Sequence, residues 1–196
     1  MKLLPFAFLI ALAAATVGTG GCTNRPEAPT MEDPIVARED AQRITADAID
    51  LDKRGDIDGA IAGYQRAIER YRDLPQPWYN IGVLYFERNM ALEAASAFRT
   101  AAELMPKDPR PMKALGDVWA KQAYYDEASK YYLLALERDE TDLPSLRQSI
   151  LADHFRDKRG EGTAERIRRA LMLESDPKWR EFLLRQKQLT ERTLNK

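Results

Sequence analysis

The sequence predicts an all-α fold, a right-handed superhelix of about four helical hairpins followed by a C-terminal capping helix. Three observations predict it. Apolar residues recur at helical spacing, prolines punctuate the chain at nearly equal intervals, and small and aromatic residues repeat every 34 positions. The chain has 196 residues, of which 44% are apolar, so it can bury one core of ordinary size.

The clearest hairpin lies between Trp78 and Pro106. One helical face of its first helix consists of Trp78, Ile81, Gly82 and Tyr85. Residues 88–90 interrupt this face, and the second helix then presents Ala94, Phe98 and Ala101. The small residues allow the two backbones to approach closely, and the aromatic rings fill the remaining volume.

The same residue types return 34 positions before and after this hairpin. The matching sets are Ala60, Ala94 and Ala128; Tyr64, Phe98 and Tyr132; Ala67, Ala101 and Ala135; Ala48, Gly82 and Gly116; and Leu51, Tyr85 and Trp119. A 34-residue helix–turn–helix with these residues resembles the tetratricopeptide repeat (TPR). The resemblance implies a protein-binding superhelix whose first helices line the concave side.

Prolines and aspartates set the repeat boundaries. Helices are expected to begin near Pro75, Pro109, Pro144 and Pro177, because Asp at the cap and Pro in the first turn favour a helix start. The predicted repeats cover 38–72, 75–106, 109–140 and a degenerate 144–174, within a domain at 37–174. A longer turn at 157–162 shifts the register of the fourth repeat. Residues 175–196 form the capping helix, whose apolar side is predicted to contain Trp179, Phe182, Leu183, Gln186 and Leu189.

The N-terminus has the features of an export signal. An apolar run within residues 1–21 is followed by Cys22, the only cysteine of the chain. This arrangement resembles a bacterial lipoprotein signal, which implies that Cys22 carries the lipid, including palmitate. Thr23 favours the outer membrane, facing the periplasm. The alternative is an ordinary secretory peptide followed by a stray cysteine. The Pro-rich residues 22–36 are predicted to form an extended tether.

Few residues suggest chemistry. His154 is the only histidine, and no phosphate-binding loop or set of metal ligands is evident, so we expect no catalytic site, metal or cofactor. The net charge of −1 gives no reason to expect nucleic acid, and no small-molecule substrate is suggested. The alternative is an envelope enzyme, or an accessory subunit of one, that uses His154.

The resemblance to tetratricopeptide proteins implies a partner-binding groove. Tyr79, Val83 and Phe86 form a second apolar stripe on the first helix of the second repeat. The 34-residue register extends this groove to Thr45, Ile49, Asp52, Lys113, Asp117 and Ala120. An alternative is that the C-terminal helix or the tether covers the stripe. The positions that clamp a C-terminal carboxylate in one subfamily hold Thr45, Ile49, Asn80, Arg110 and Ala114 here, which lack most of the required cations.

The sequence therefore predicts a non-catalytic scaffold, anchored to a membrane by lipid, that binds a protein partner in its groove. Small lipoproteins of this plan resemble those that assist the assembly of pili, secretion channels or outer-membrane machinery. One alternative is a self-associating adaptor that uses the C-terminal helix. Residues 147–196 carry 13 Lys and Arg against 8 Asp and Glu, so a contact of this end with anionic lipid or an acidic partner is a further alternative.

Overall fold

The computed structural model describes residues 33–196, and every helix or strand in this part of the chain is an α-helix. The helices are α1 (Pro34–Lys53), α2 (Ile57–Arg70), α3 (Pro75–Glu87), α4 (Ala91–Leu104), α5 (Arg110–Lys121), α6 (Tyr125–Arg138), α7 (Leu143–Phe155), α8 (Glu161–Leu173) and α9 (Pro177–Leu194). The predicted signal, Cys22 and residues 22–32 of the predicted tether lie outside the described residues.

Helices pair in chain order. The most extensive packing joins α1 to α2, α3 to α4, and α5 to α6, and these are the first three hairpins. Successive hairpins are joined by contacts of α2 with α3, α4 with α5, and α6 with α7. The fourth hairpin consists of α7 and α8, and α9 packs on α8. The predicted all-α fold of stacked hairpins is confirmed.

The first helix begins earlier than predicted. Asp33 Oδ1 accepts a hydrogen bond from the Ile35 amide at 2.9 Å, and Pro34 occupies the first turn. Residues 34–36 therefore belong to α1 and not to the predicted tether. The reason is the Asp-Pro pair, the same start signal that was used for the later helices.

Two of the predicted aspartate caps are present as hydrogen-bonded caps. Asp142 accepts from the Ser145 amide, and Asp176 accepts from the amide of Lys178. Asp73 does not cap α3, whose N-cap is Leu74 without a side-chain hydrogen bond. Pro75 at the start of the helix is sufficient there because its fixed φ suits the first helical turn.

The turn inside each hairpin repeats with a period of 34 residues in all four hairpins. Gly55, Asn89, Ala123 and Asp157 have φ values of 80°, 61°, 62° and 52°. In the third turn the Ala123 amide donates to the Ala120 carbonyl at 2.9 Å, and the Tyr124 amide donates to the Trp119 carbonyl at 3.0 Å. This pair of bonds is the Schellman motif, which ends a helix with one left-handed residue.

Close helix approach explains the small residues of the hairpins. A Cβ atom on Gly82 would lie 2.7 Å from the ring of Phe98, and one on Gly116 would overlap the ring of Tyr132 in the same way. Phe98 and Tyr132 are 1% exposed, so the rings fill the space that the glycines leave. The predicted pairing of small and aromatic residues is confirmed.

The fourth hairpin departs from the others by one residue. Its buried positions on α8, Thr163, Ile167 and Ala170, lie 35 residues after Ala128, Tyr132 and Ala135. The turn at Asp157 keeps the 34-residue period, so the slip occurs after it, within the predicted turn at 157–162.

The C-terminal helix closes the core of the fourth hairpin. Leu183 is fully buried in a cluster with Leu146, Ile150 and Ile167.

Within residues 33–196, no helix has both the length and the apolarity required to cross a bilayer.

Candidate protein-binding surface

One stripe of the first helices carries the predicted groove. We call it the inner stripe, and it contains residues in the register of Tyr79, Val83 and Phe86. Its members are Thr45, Ile49 and Asp52 on α1; Tyr79, Val83 and Phe86 on α3; Lys113, Asp117 and Ala120 on α5; and Arg147, Leu151 and His154 on α7.

The apolar segment on α3 is half-buried. Tyr79, Val83 and Phe86 pack against a cluster that includes Phe98 on α4 and Leu115 on α5, and the ring centroids of Tyr79 and Phe98 are 5.7 Å apart. These side chains therefore seal part of the junction between the second and third hairpins. The remaining surface of each one is open to solvent, as the predicted groove requires.

Cations from α5 lie over the rings of this segment. The Arg110 Cζ atom is 5.4 Å from the centroid of Tyr79, and the Lys121 Nζ atom is 4.5 Å from that of Phe86. Lys121 also donates to the Phe86 carbonyl at 3.1 Å. Burial raises the pKa of the Tyr79 phenol, so this side chain is a neutral apolar contact at physiological pH.

The inner stripe offers less accessible surface on α1 than the sequence predicts. Thr45 is 2% exposed and its hydroxyl donates to the Ala41 carbonyl at 2.6 Å, so it faces its own helix and does not line a groove. A short hydroxyl side chain in a helix readily makes this bond to the preceding turn. Ile49 and Asp52 are half-buried, and Ile49 packs against the first core cluster.

The inner-stripe residues Lys113 and Asp117 on α5 are charged, and their opposite charges pair with each other. The Lys113 Nζ and Asp117 Oδ2 atoms form a salt bridge of 2.5 Å. The other Asp117 oxygen accepts from the buried Tyr132 hydroxyl at 3.0 Å. Lys113 and Asp117 are thus where the sequence predicted them, but their charges neutralise each other.

Two residues in the carboxylate-clamp register are engaged within the chain. Asn80 Nδ2 donates to the Tyr64 hydroxyl at 3.4 Å. Arg110 forms a salt bridge with Asp108 at 2.6 Å, and this contact holds the pKa of the Asp108 carboxyl below its usual value. Both side chains therefore already have hydrogen-bond or ionic partners within the chain.

The inner stripe continues onto α7, beyond the residues that the sequence analysis assigns to the groove. Leu151 is half-buried and His154 is exposed. Adding 68 residues to positions 83 and 86 would have identified them. Leu151 lines a small pocket of about 190 Å³ with Lys178, Trp179 and Phe182, so α9 covers part of the stripe here.

His154 lacks the partners of a general base. Its ring lies 5.8 Å from that of Phe182 and 5.5 Å from that of Phe155, and no residue in the described part of the chain hydrogen-bonds to its imidazole. Within residues 33–196, no group of three or more His, Cys, Asp or Glu side chains is placed to hold a metal ion.

Comparisons with known proteins agree with this architecture. A family model described as "TPR repeat" matches residues 51–89, from the end of α1 to the turn after α3. The solved structure of the first TPR of Spaghetti (RPAP3), bound to an HSP90 peptide, matches with a TM-score of 0.58 and 18% identity. That match covers 62% of this chain and 96% of that one. The described part of the chain has the tetratricopeptide-repeat fold, and residues 51–89 match the repeat in sequence.

Other similar proteins show the same repeats in different settings. A mutant O-GlcNAc transferase from Thermobaculum terrenum matches with a TM-score of 0.61 at 16% identity, over 74% of this chain but 27% of that one. MamA of MSR-1 matches with a TM-score of 0.56 at 18% identity, over 68% and 76%. The BBSome complex member BBS4 homolog of Drosophila melanogaster is 28% identical over 85 residues, which are 43% of this chain and 17% of the relative. The structural matches share a fold, and tetratricopeptide repeats are in general a scaffold for protein–protein interaction.

Proposed function

We propose that this protein is a non-catalytic scaffold that binds a partner polypeptide along its inner stripe. The observation that carries the proposal is the row of Tyr79, Val83 and Phe86, which pack at an inter-hairpin junction yet keep part of their apolar surface open. Such a row suits an apolar side chain of a helix or an extended segment of the partner.

The cations beside this row favour a particular partner chemistry. Arg110 and Lys121 lie over the rings of Tyr79 and Phe86. Arg110 is paired with Asp108, but Lys121 forms no ion pair within residues 33–196, so an apolar anchor bound beside Phe86 would have positive charge close to it. A partner segment with acidic residues next to its apolar anchor fits this arrangement.

We also propose that the protein works at the bacterial cell envelope, anchored by a lipid on Cys22. The support is the apolar run of residues 1–21, which ends just before the only cysteine. On this proposal the domain faces the periplasm from the outer membrane and assists the assembly of pili, a secretion channel or outer-membrane machinery.

The scaffold proposal is tested by removing the two rings together. Tyr79→Ala with Phe86→Ala is compared with Leu92→Ala, a control whose side chain is 84% exposed on α4. Each protein is immobilised, and the proteins that it retains from an extract of its own cells are measured by mass spectrometry. We expect the double variant to lose proteins that the control retains.

Stability must be measured alongside binding, because Tyr79 packs against Phe98. We expect a lower melting temperature for the double variant with unchanged helical circular dichroism at the binding temperature. If the folded double variant retained the same proteins as the control, the inner stripe would not be the binding surface.

The anchor proposal has its own test. Cys22→Ala should still be exported, but the protein should move from the membrane to the soluble periplasmic fraction after cell fractionation. Full retention in the membrane fraction would show that Cys22 is not the attachment point.

A further inference from the structure

A second cleft lies between α2 and α4, on a face of α3 different from the inner stripe. It has a volume of about 520 Å³. Its floor is Ile81 and Ala97, which are 2% and 4% exposed. The half-buried walls are Ile68, Trp78 and Tyr85, and the exposed rim is Gln65, Glu69, Glu93 and Ser96.

The next junction along the chain shows why this cleft is open. Ala97 corresponds by the 34-residue period to Tyr131, whose ring packs against the core cluster between α4 and α5. Ser96 corresponds to Lys130, whose ammonium pairs with Glu127 at 3.4 Å. The junction between the first and second hairpins therefore lacks the aromatic ring that fills the junction between the second and third. It also lacks the lysine that pairs with the glutamate there.

The rim of the cleft carries uncompensated negative charge. Within residues 33–196, neither Glu69 nor Glu93 forms an ion pair or a hydrogen bond through its side chain. The two carboxylates are contributed by different helices, α2 and α4, and both border the same apolar floor. A ligand with a positive charge on an apolar stem complements this arrangement.

The aromatic wall is held in position. The Trp78 Nε1 atom donates to the Arg72 carbonyl at 2.8 Å, which fixes the indole. The Arg72 Cζ atom lies 5.8 Å from the centroid of the same ring, so this indole already attracts one guanidinium within the chain. A fixed ring costs a ligand little ordering entropy on binding.

We propose that this cleft binds an arginine side chain of a partner polypeptide. A guanidinium can stack on Trp78 or Tyr85 and donate to a carboxylate with two parallel hydrogen bonds, which an ammonium cannot do. The methylene stem of arginine would then cover Ile81 and Ala97. The site is independent of the inner stripe, because it uses a different face of α3, together with α2 and α4, and needs no contact with Tyr79 or Phe86.

The test is a titration of the isotope-labelled full chain with two peptides, followed by NMR. The probes are acetyl-Gly-Arg-Gly-amide and the same peptide with citrulline, which keeps the shape of arginine but has no charge. The indole resonance of Trp78 reports on the cleft, and Trp119, in the register of Tyr85 one hairpin later, is the internal control. We expect saturable movement of the Trp78 resonance with arginine, about tenfold weaker binding of citrulline, and a stationary Trp119.

Two variants address the cleft itself. Ala97→Tyr copies the residue of the next junction and should abolish binding by filling the floor. Glu69→Gln with Glu93→Gln changes only exposed side chains, keeps the fold, and should weaken arginine binding about tenfold. Tyr79→Ala with Phe86→Ala should leave the arginine affinity unchanged. Equal affinity for both peptides, no movement of Trp78, or unchanged binding by the Glu→Gln double variant would overturn the proposal.

Discussion

The first three hairpins and the fourth hairpin hold their helices together by different means. In the second and third hairpins a glycine on the first helix receives an aromatic ring from the second, as Gly82 receives Phe98. In the fourth hairpin the corresponding pair is Ile150 and Ile167, both buried and both aliphatic. The same backbone plan therefore accepts either a ring in a gap or two branched side chains in contact.

A buried charge marks the second difference. Leu51, Tyr85 and Trp119 occupy one register in the first three hairpins, and Asp153 occupies it in the fourth. Asp153 is 2% exposed and accepts hydrogen bonds from Thr163 at 2.6 Å, from Arg156 at 3.2 Å and from Arg166. The comparison shows that the fourth hairpin relies on a polar network where the others rely on apolar packing.

The largest expected effect comes from breaking that network. Asp153→Ala would leave the half-buried Arg156 and Arg166 without a shared anion, which should destabilise the fold by about 4 kcal/mol. Asp126→Ala is the matched control, because Asp126 also pairs with Arg156 but is 72% exposed, and it should cost less than about 1 kcal/mol. Urea unfolding measures both, and similar losses for the two variants would show that the network is not structural.

Substitutions at one register position should destabilise the fourth and the second hairpin for opposite physical reasons. Ile150→Ala removes buried volume and should cost about 3 kcal/mol. Gly82→Ala adds a methyl group 2.7 Å from the Phe98 ring and should cost about 2 kcal/mol through overpacking. A stabilising effect of Gly82→Ala, measured by urea unfolding, would refute the close approach of α3 and α4.

Acid should weaken the C-terminal region through Glu174. The side-chain hydrogen bonds from Arg147, at 2.5 and 2.6 Å, lower the pKa of the Glu174 carboxyl below 4.5, although burial opposes this. The stabilisation is complete above the unfolded pKa of 4.5 and is lost as the pH falls through the lower folded pKa.

We therefore expect the unfolding free energy to decrease with falling pH below 4.5, and Glu174→Gln to reduce this slope. Arg147→Met should reduce it as well, since it removes the partner. Unfolding curves at several pH values test this, and an unchanged slope in both variants would contradict the assignment.

The smallest expected effect comes from the turns inside the hairpins, which have a left-handed residue at the same register position in all four hairpins. Ala123 has φ of 62°, which an L-residue with a side chain disfavours. Ala123→Gly should stabilise the protein by about 0.5 kcal/mol, because relief of strain exceeds the added entropy of the unfolded chain. Gly55→Ala should destabilise it. Melting temperatures that move in the reverse directions would contradict the shared turn geometry.

Much of the fold could be predicted because its determinants are local or strictly periodic. Ala94 and Phe98 identify a helix face, and their copies 34 residues away give the hairpins without long-range information. The pair Asp33-Pro34 carries the same helix-start signal, although it lies in a Pro-rich stretch that resembles a tether.

The network around Asp153 could not be predicted in this way. It joins Asp153 to Thr163 and Arg166 across a turn whose length differs by one residue from the other hairpins. The register alone cannot say how such a turn orients its side chains. Periodicity therefore predicts position more reliably than environment.

The candidate site was predicted only in part for the same reason. The positions of Tyr79, Val83 and Phe86 followed from the helix period, but their packing against the next hairpin depends on tertiary structure. Thr45 was assigned by register to the groove, yet its hydroxyl bonds to its own helix. Partner binding by the inner stripe remains a prediction.

The most direct test of the scaffold proposal is site-specific photo-crosslinking in cells. A photoreactive amino acid is placed in turn at Val83 and Phe86 on the inner stripe and at Leu92 on α4, and the crosslinked proteins are quantified. We expect one partner to be captured from positions 83 and 86 and not from position 92. Capture from position 92 alone, or equally from all three positions, would contradict partner binding by the inner stripe.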